Sequence, residues 1–352
     1  MTHPTSTWTL SQDLDQILTD TATLWPELDG ARIFLTGGTG FIGCWLLETL
    51  RHAVLQGQAK LHVTVLTRNA AAFRAKAPHL ADFPSFELVE GDIGSLQALQ
   101  QPLTHIIHAA TDASADLNEN NPLRMYDTIV DGTRRVLELA TRHPGVRVLF
   151  LSSGAVYGQQ PWELAGVPET YAGSPDPTVP RNAYGEAKRA AEMLCAIYHK
   201  QFNVQVTTVR IFTLLGPYLA LGIHFAAGNF IRNAMDGLPV TVNGNGKPCR
   251  SYLYAGDLTT WLLHLLQKGQ AGRAYNAGSE RSVSIAELAE RVSAVLAKGE
   301  YTVLGAADQG WNPGRYVPDT SRIRSELGVR ETVSLDQAIY RTAMWHGWQP
   351  QQ

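Results

Sequence analysis

Cysteine is scarce in this chain: Cys44, Cys195 and Cys249 are the only three in 352 residues, and they lie far apart. That spacing excludes a disulfide framework and gives neither a zinc knuckle nor a redox pair, so the three read as small buried apolar residues. No metal site is expected. Charge is sparse as well, at 17% of residues, with a formal net charge of -3 and no run of lysines or arginines. A nucleic-acid or anionic-membrane surface is therefore not expected, and the partner is expected to be small. Long apolar runs are missing, so no stretch reaches the length of a membrane span. The first thirty residues also lack the cationic start and apolar core of a secretory signal, which points to a reducing cytoplasm. Internal repeats and low-complexity segments are missing too.

Glycine, by contrast, is concentrated. The stretch "TGGTGFIG" (36–43) holds four glycines in eight residues, between the apolar runs "ARIFL" and "CWLLETL". Glycine costs ordering entropy, so such a density implies a turn too tight for side chains, close to a ligand. The surrounding order alternates: strand "RIFLTG", helix "FIGCWLLETLRHAV", strand "LHVTVLT", a polar stretch, strand "FELVEGD", helix "SLQALQ", strand "HIIHAA", helix "PLRMYDTIVDGTRRVLELATR", strand "VRVLFLSS". Alternating strands and helices, with strands nearly continuous in apolar residues, mean a parallel sheet covered on both faces. The fold class expected is α/β: a Rossmann, doubly wound parallel sheet with a smaller, interleaved C-terminal substrate-binding domain.

The domains expected are an N-terminal helical extension over 1–29, a dinucleotide-binding part over 30–215 with about 250–277, and a substrate part over 216–249 and 278–348. The extension reads as one helix, "SQDLDQILTDTATLW", ended by Pro26 with Asp29 and Gly30, and packed by Trp25 or used in assembly. In the substrate part, "FIRNAMDGL", "SIAELAERVSAVLA" and "SLDQAIYRTAMWH" are helical in period, around a Gly/Pro-rich loop at 305–318.

Gly38, Gly40 and Gly43 satisfy G-x-G-x-x-G, and Gly37, Gly40 and Gly43 satisfy the G-x-x-G-x-x-G variant, with Phe41 and Ile42 opening the helix. Such a turn presents backbone N–H groups and a positive helix terminus to a pyrophosphate. An acidic residue about twenty positions on would take the ribose hydroxyls of NAD, but the second strand ends with Thr67 and Arg68. An arginine there accepts a 2'-phosphate, so NADP(H) is favoured and NAD(H) possible. Asp92 reads either as a partner of the adenine amino group, with Ile93 on the ring, or as a cap for the following helix. Ala109 and Ala110 are small where backbone approaches the cofactor, and His108 reads as a core histidine.

Tyr184 and Lys188 stand four apart, on one face of a helix. A phenol needs a nearby cation to act as a base at neutral pH, and Lys188 supplies one. "LSSGAVYG" ends the next predicted strand on the edge where open parallel sheets bind ligands, and a serine there can address the same substrate oxygen.

Together the glycine loop, "GDI", "HAA", "SSGAVYG", "YGEAK", "GRAYNAGS" and "GRYVPDTSR" resemble the extended short-chain dehydrogenase/reductase family, in its branch of nucleotide-sugar epimerases, dehydratases and reductases, over residues 30 to 348. The resemblance implies Ser153 and Tyr184 as catalytic groups, with Lys188 holding the ribose and tuning the tyrosine, and Phe212 beside the nicotinamide. It implies Arg250 and Arg315 as cations for a diphosphate, Asn229 at the nucleotide site, and Phe225, Val242 and Asn243 around the base. Dehydratases of the family carry Asp-Glu after the catalytic Ser/Thr, whereas this chain has Gly154 and Ala155, which disfavours 4,6-dehydration. Thr213 stands where relatives have a substrate-contacting asparagine, and Thr128 likewise replaces an asparagine. Trp162, Trp311, Trp345 and Trp348 are expected in core or interface packing.

The leading expectation is an NAD(P)-dependent oxidoreductase moving a hydride at C4 of a nucleotide-linked hexose, as a 4-ketoreductase or an epimerase. A dehydratase or decarboxylase of the same family is the alternative, and a non-catalytic cofactor-sensing protein the alternative of another class. The two long helices, "PLRMYDTIVDGTRRVLELATR" and "AYGEAKRAAEMLCAIYHKQF", are those that relatives pair in a four-helix bundle, which implies a homodimer.

Overall fold

The computed structural model describes residues 8–95, 99, 101–110, 115–223, 226–297, 300–305 and 314–350. The expected helix over "SLQALQ", together with Phe225, Trp311 and much of the 305–318 loop, lies outside the described residues.

Two helices precede the first strand, α1 (Leu10–Asp20) and α2 (Trp25–Leu28). The single helix expected here is broken after Asp20, and Pro26 opens the second helix instead of closing the first. A proline has no N–H to lose in a first turn, so it fits there without cost. β1 (Arg32–Thr36), α3 (Phe41–Leu55) and β2 (His62–Thr67) follow. The polar stretch after them holds two short helices, α4 (Ala70–Lys76) and α5 (Pro78–Ala81), before β3 (Phe86–Glu90). Then come β4 (His105–His108), α6 (Ala115–Asn120), α7 (Pro122–Thr141), β5 (Arg147–Ser153), α8 (Ala183–Phe202) and β6 (Gln205–Ile211).

The C-terminal part mixes short strands with helices: β7 (Leu214–Leu215), α9 (Ala226–Met235), β8 (Val240–Val242), β9 (Cys249–Arg250), β10 (Leu253–Tyr254), α10 (Ala255–Lys268), β11 (Ala274–Ala277) and β12 (Val283–Ser284). It ends with α11 (Ile285–Leu296), β13 (Tyr301–Val303), β14 (Arg315–Tyr316), α12 (Ser321–Leu327) and α13 (Leu335–Trp345).

Seven strands form one parallel sheet in the order β11-β6-β5-β4-β1-β2-β3. The order reverses between β1 and β4, and at such a switch point an open sheet leaves a crevice at the carboxyl ends of its strands. Thr36, Thr67, His108 and Ser153 end four of those strands, so they share that edge. β9 stands apart, between β12 and β14 in a small sheet that places Tyr316 opposite Arg250.

One apolar cluster runs through the molecule from Leu14, Ile17 and Leu18 of α1 to Ile339 and Ala343 of α13, with Trp25, Trp45 and Trp261 fully buried in it. Trp25 packs as expected. Asp13 of α1 is buried too, and it accepts from the Tyr254 hydroxyl at 2.5 Å, Arg341 Nη1 at 2.5 Å and Trp8 Nε1 at 3.1 Å. A carboxylate out of water needs this density of donors.

Candidate active site

The glycine loop connects β1 to α3, and its glycines have different reasons. Gly37 has φ +71, and a Cβ there would lie 2.6 Å from the Ala109 carbonyl carbon. At Gly43 a Cβ would lie 2.3 Å from the Gly37 carbonyl oxygen, and at Gly38 it would lie 2.6 Å from Val65 Cγ1. Gly40 caps α3 and brings no side chain to the first amides of that helix. Those amides and the side-chain-free surface at Gly37, Ala109 and Ala110 form a cradle that a dinucleotide pyrophosphate fits. Phe41 and Ile42 begin α3 and are half-buried.

At the end of β2 the buried Thr67 accepts from the Asn69 amide through Oγ1 at 3.3 Å, while Arg68 is exposed beside it. Asp92 Oδ1 accepts from the Gly94 amide at 2.8 Å, the capping geometry. Ile93 turns inward, 7% exposed, and packs under Gly132 of α7 rather than presenting its side chain at the surface. His108 is buried with both ring nitrogens on threonine hydroxyls, Thr36 at 2.8 Å and Thr133 at 3.1 Å, as a core histidine.

Ser153 closes β5, and its Oγ accepts from the Ala155 amide at 3.1 Å. Tyr184 occupies the first turn of α8, where Asn118 Oδ1 of α6 accepts its backbone N–H at 3.2 Å and so fixes the start of the helix. Burial pushes the Tyr184 phenol up, and its hydrogen bond with Ser153 pulls it down. Lys188, one turn on, is 2% exposed and donates to the Leu151 carbonyl at 2.7 Å. Burial pushes its ammonium down to about 7, against the pull of Glu192 a further turn along. Glu192 is itself held by Arg210 Nη2 at 2.6 Å and by the Ser152 hydroxyl at 2.6 Å.

Gly154 faces a wall. A Cβ at this position would meet Phe212 Cζ and the Tyr316 hydroxyl, each at 2.7 Å. The two rings stack at 4.6 Å, and the Tyr316 hydroxyl stands 3.4 Å from Ser153 Oγ. No carboxylate enters from position 154 without displacing both. Phe212 is 4% exposed in this small cluster, and Tyr316, within "GRYVPDTSR", is a residue to which the sequence assigns no role.

A cavity of about 1090 Å³ is lined by Asn229, Phe230, Val242, Asn243, Pro248 and Ile285 among others. Asn229, Val242 and Asn243, which the resemblance assigns to a nucleotide site, line it together. Thr213 is half-buried, spends its carbonyl on the Leu253 amide at 3.0 Å, and does not line the cavity. Neither arginine lines it either. Arg250 Nη1 donates to the Cys249 carbonyl at 2.8 Å, and Arg315 Nη1 donates to the Trp162 and Leu164 carbonyls at 3.2 Å each. Trp162 is not in the core: it is 41% exposed and carries the Arg315 guanidinium 4.3 Å above its ring. Trp345 and Trp348 are half-buried against Tyr218 and Tyr340.

This arrangement has counterparts among known proteins. The model of the NAD dependent epimerase/dehydratase family matches residues 33–278. The chain belongs to that family. UDP-glucuronic acid decarboxylase 1 of Xenopus tropicalis is 32% identical over 317 residues, which cover 90% of this chain and 72% of that protein. UDP-glucuronic acid decarboxylase 1 of Arabidopsis thaliana is 32% identical over 310 residues, 88% of this chain and 68% of that one. Among solved structures, dTDP-glucose 4,6-dehydratase of Streptomyces venezuelae with NAD bound is 26% identical, with a TM-score of 0.77 over 90% of this chain and 96% of that one. UDP-glucuronic acid 4-epimerase of Bacillus cereus, in complex with UDP-glucuronic acid and NAD, shares the fold at 23% identity and a TM-score of 0.75, over 89% and 98% of the two chains.

The family description and the Streptomyces complex both carry NAD, so the NADP preference read from Arg68 finds no support there. The curated relatives are decarboxylases, which fits the alternative drawn from the sequence better than its leading reductase or epimerase reading.

Proposed function

We propose that the chain is an NAD-dependent enzyme that oxidises C4 of a nucleotide-linked hexuronic acid and removes its C6 carboxylate. The observation that carries this reading is the sealed position 154. Elimination of water needs an acid for the leaving hydroxyl and a base for the adjacent C–H, and neither Gly154 nor Ala155 brings one. A 4-ketone needs no such help to lose the carboxylate carried by the adjacent carbon, C5. The C5–C6 bond breaks, its electron pair moves into the ketone as an enolate, carbon dioxide leaves, and C5 takes up a proton.

Gly37, Gly40, Gly43, Ala109 and Ala110 hold the dinucleotide, which when bound supplies reversible hydride acceptance. Tyr184 takes the proton of the C4 hydroxyl as that carbon is oxidised and returns one when it is reduced. Ser153 hydrogen-bonds the same oxygen, and the Lys188 ammonium favours the phenolate. The cavity lined by Asn229, Val242 and Asn243 takes the nucleotide, with the 216–249 and 278–348 segments as the substrate part and 30–215 with 250–277 as the dinucleotide part. Outward-facing Leu123 at 70%, Met193 at 61% and Phe202 at 55% exposure on α7 and α8 support a homodimer through those helices. A cytoplasmic setting suits the free cysteines.

The same sealed position also suits C4 epimerisation, which needs the ketone to turn over and nothing more, and this is the second reading. Incubation with NAD and UDP-glucuronic acid, followed by proton NMR, separates the two. Loss of the H5 signal pattern of the uronate with release of carbon dioxide supports decarboxylation. A C4-inverted uronate with no gas evolved supports epimerisation, and unchanged substrate removes both.

A further inference from the structure

The mechanism so far leaves one polar group at the catalytic end without a task. The Tyr316 hydroxyl lies 3.4 Å from Ser153 Oγ, 163 residues away in sequence, and it reaches there from β14, a strand of the small C-terminal sheet. Its ring is braced by Phe212 at 4.6 Å, and its backbone pairs with Arg250. The space it fills is the one a side chain at position 154 would claim, since a Cβ there would come within 2.7 Å of the hydroxyl. Burial pushes this phenol up, so it is a neutral donor at neutral pH.

Ser153 and Tyr184 address the C4 oxygen. A donor one hydrogen-bond length from Ser153, on the side of Gly154, is within reach of the groups on the ring carbons next to C4, and of these the C6 carboxylate is the one a neutral donor stabilises most. We propose that Tyr316 is a specificity-determining residue that donates a hydrogen bond to the C6 carboxylate of the sugar, in the place where a residue-154 side chain would otherwise stand. The assignment rests on the C4-oxidation reading above. A neutral phenol suits this task chemically. It recognises a carboxylate by a charge-assisted hydrogen bond, yet it does not hold that negative charge as an arginine would, and the charge has to pass into the enolate as neutral carbon dioxide leaves.

The test uses the full chain with NAD and two substrates, UDP-glucuronic acid and UDP-glucose, with C4 oxidation followed in single turnover by absorbance of the reduced nicotinamide. Tyr316→Phe keeps the ring on Phe212 and the cover over Gly154 but removes the hydroxyl. It is expected to lower kcat/KM for the uronate about 10- to 100-fold while changing oxidation of the hexose less than about threefold. Gly154→Ala, which pushes on the hydroxyl from beneath, is expected to reduce the same preference with Tyr316 intact. Equal effects on both substrates, or none, overturn the assignment while leaving the C4 reading in place. A parent that oxidises neither substrate at C4 removes that reading and this assignment with it. Circular dichroism melts of both variants show whether a loss comes from unfolding, which would lower both substrates together.

Discussion

The Thr36 hydroxyl stands 2.8 Å from Nδ1 of His108 at the foot of the glycine loop. Thr36 Oγ1 also accepts the Ala110 N–H at 3.1 Å, so its own proton points to the imidazole. His108 Nε2–H then donates to Thr133 Oγ1 at 3.1 Å, and Thr133 passes its proton to the Ile129 carbonyl at 2.7 Å. Every member of this chain is satisfied only when the imidazole is neutral, a tautomer assigned from the network.

The chain has a consequence in acid. Burial pushes His108 down to about 3 and His105 down to about 4, both below the unfolded value of 6.5. Between those values the unfolded state binds more protons, so the contribution is complete above about pH 6.5 and is lost as pH falls toward 3 to 4. The urea midpoint is expected to fall steadily from pH 7 to pH 4.5. His108→Gln should be less stable at pH 7 yet lose less over that interval. A parent midpoint that stays flat there contradicts the linkage.

Tyr184→Phe is expected to lower turnover by about 100- to 10,000-fold, the usual worth of a positioned acid-base group. NAD affinity by calorimetric titration should stay within a few-fold of the parent. Activity close to that of the parent would mean that another group moves the proton.

Gly37→Ala combines a φ of +71 with a Cβ held 2.6 Å from the Ala109 backbone, which cannot yield as a side chain would. It is expected to lose NAD binding at least about tenfold and to lower the melting temperature. Gly57 is the control, because its φ of +69 is similar but no atom lies within 4 Å of a Cβ. Gly57→Ala should cost only about 1 to 2 kcal/mol of backbone strain and leave NAD affinity alone.

Asp13→Ala strips the partner from Arg341, which donates to it at 2.5 Å. A buried pair broken on one side typically costs about 3 to 5 kcal/mol, so a loss of about 3 kcal/mol or more is expected in denaturant titration. The proposed catalytic residues Ser153, Tyr184 and Lys188 lie elsewhere, so activity per folded molecule should be kept. A loss below about 1 kcal/mol would mean that α1 docks by its apolar face alone.

Much of this site is legible in the sequence because local rules govern it. β1, β2, β4 and β5 announce themselves as continuous apolar runs, the glycine loop by its composition, and Tyr184 with Lys188 by helical spacing. Ile93 shows the limit: spacing finds the end of a strand but not which way the next side chain turns. The α4 and α5 helices hide in a polar stretch, since seven and four residues carry too little periodicity to register. The "GRYVPDTSR" segment marks Arg315 and Tyr316, but where their side chains go is hidden for a different reason. What they do depends on Trp162 and Ser153, more than a hundred positions away, and no local pattern encodes such a meeting.

The Asp13 to Arg341 pair joins positions 328 residues apart. Residues 13 and 341 are synthesised far apart in time, so the pair closes only after α13 has been made. Until then the Asp13 carboxylate lacks the Arg341 guanidinium, although α1 already has α3 and α10 to pack on. The pair therefore makes the docking of α1 depend on α13, and a chain cut between the two is expected to hold α1 less firmly.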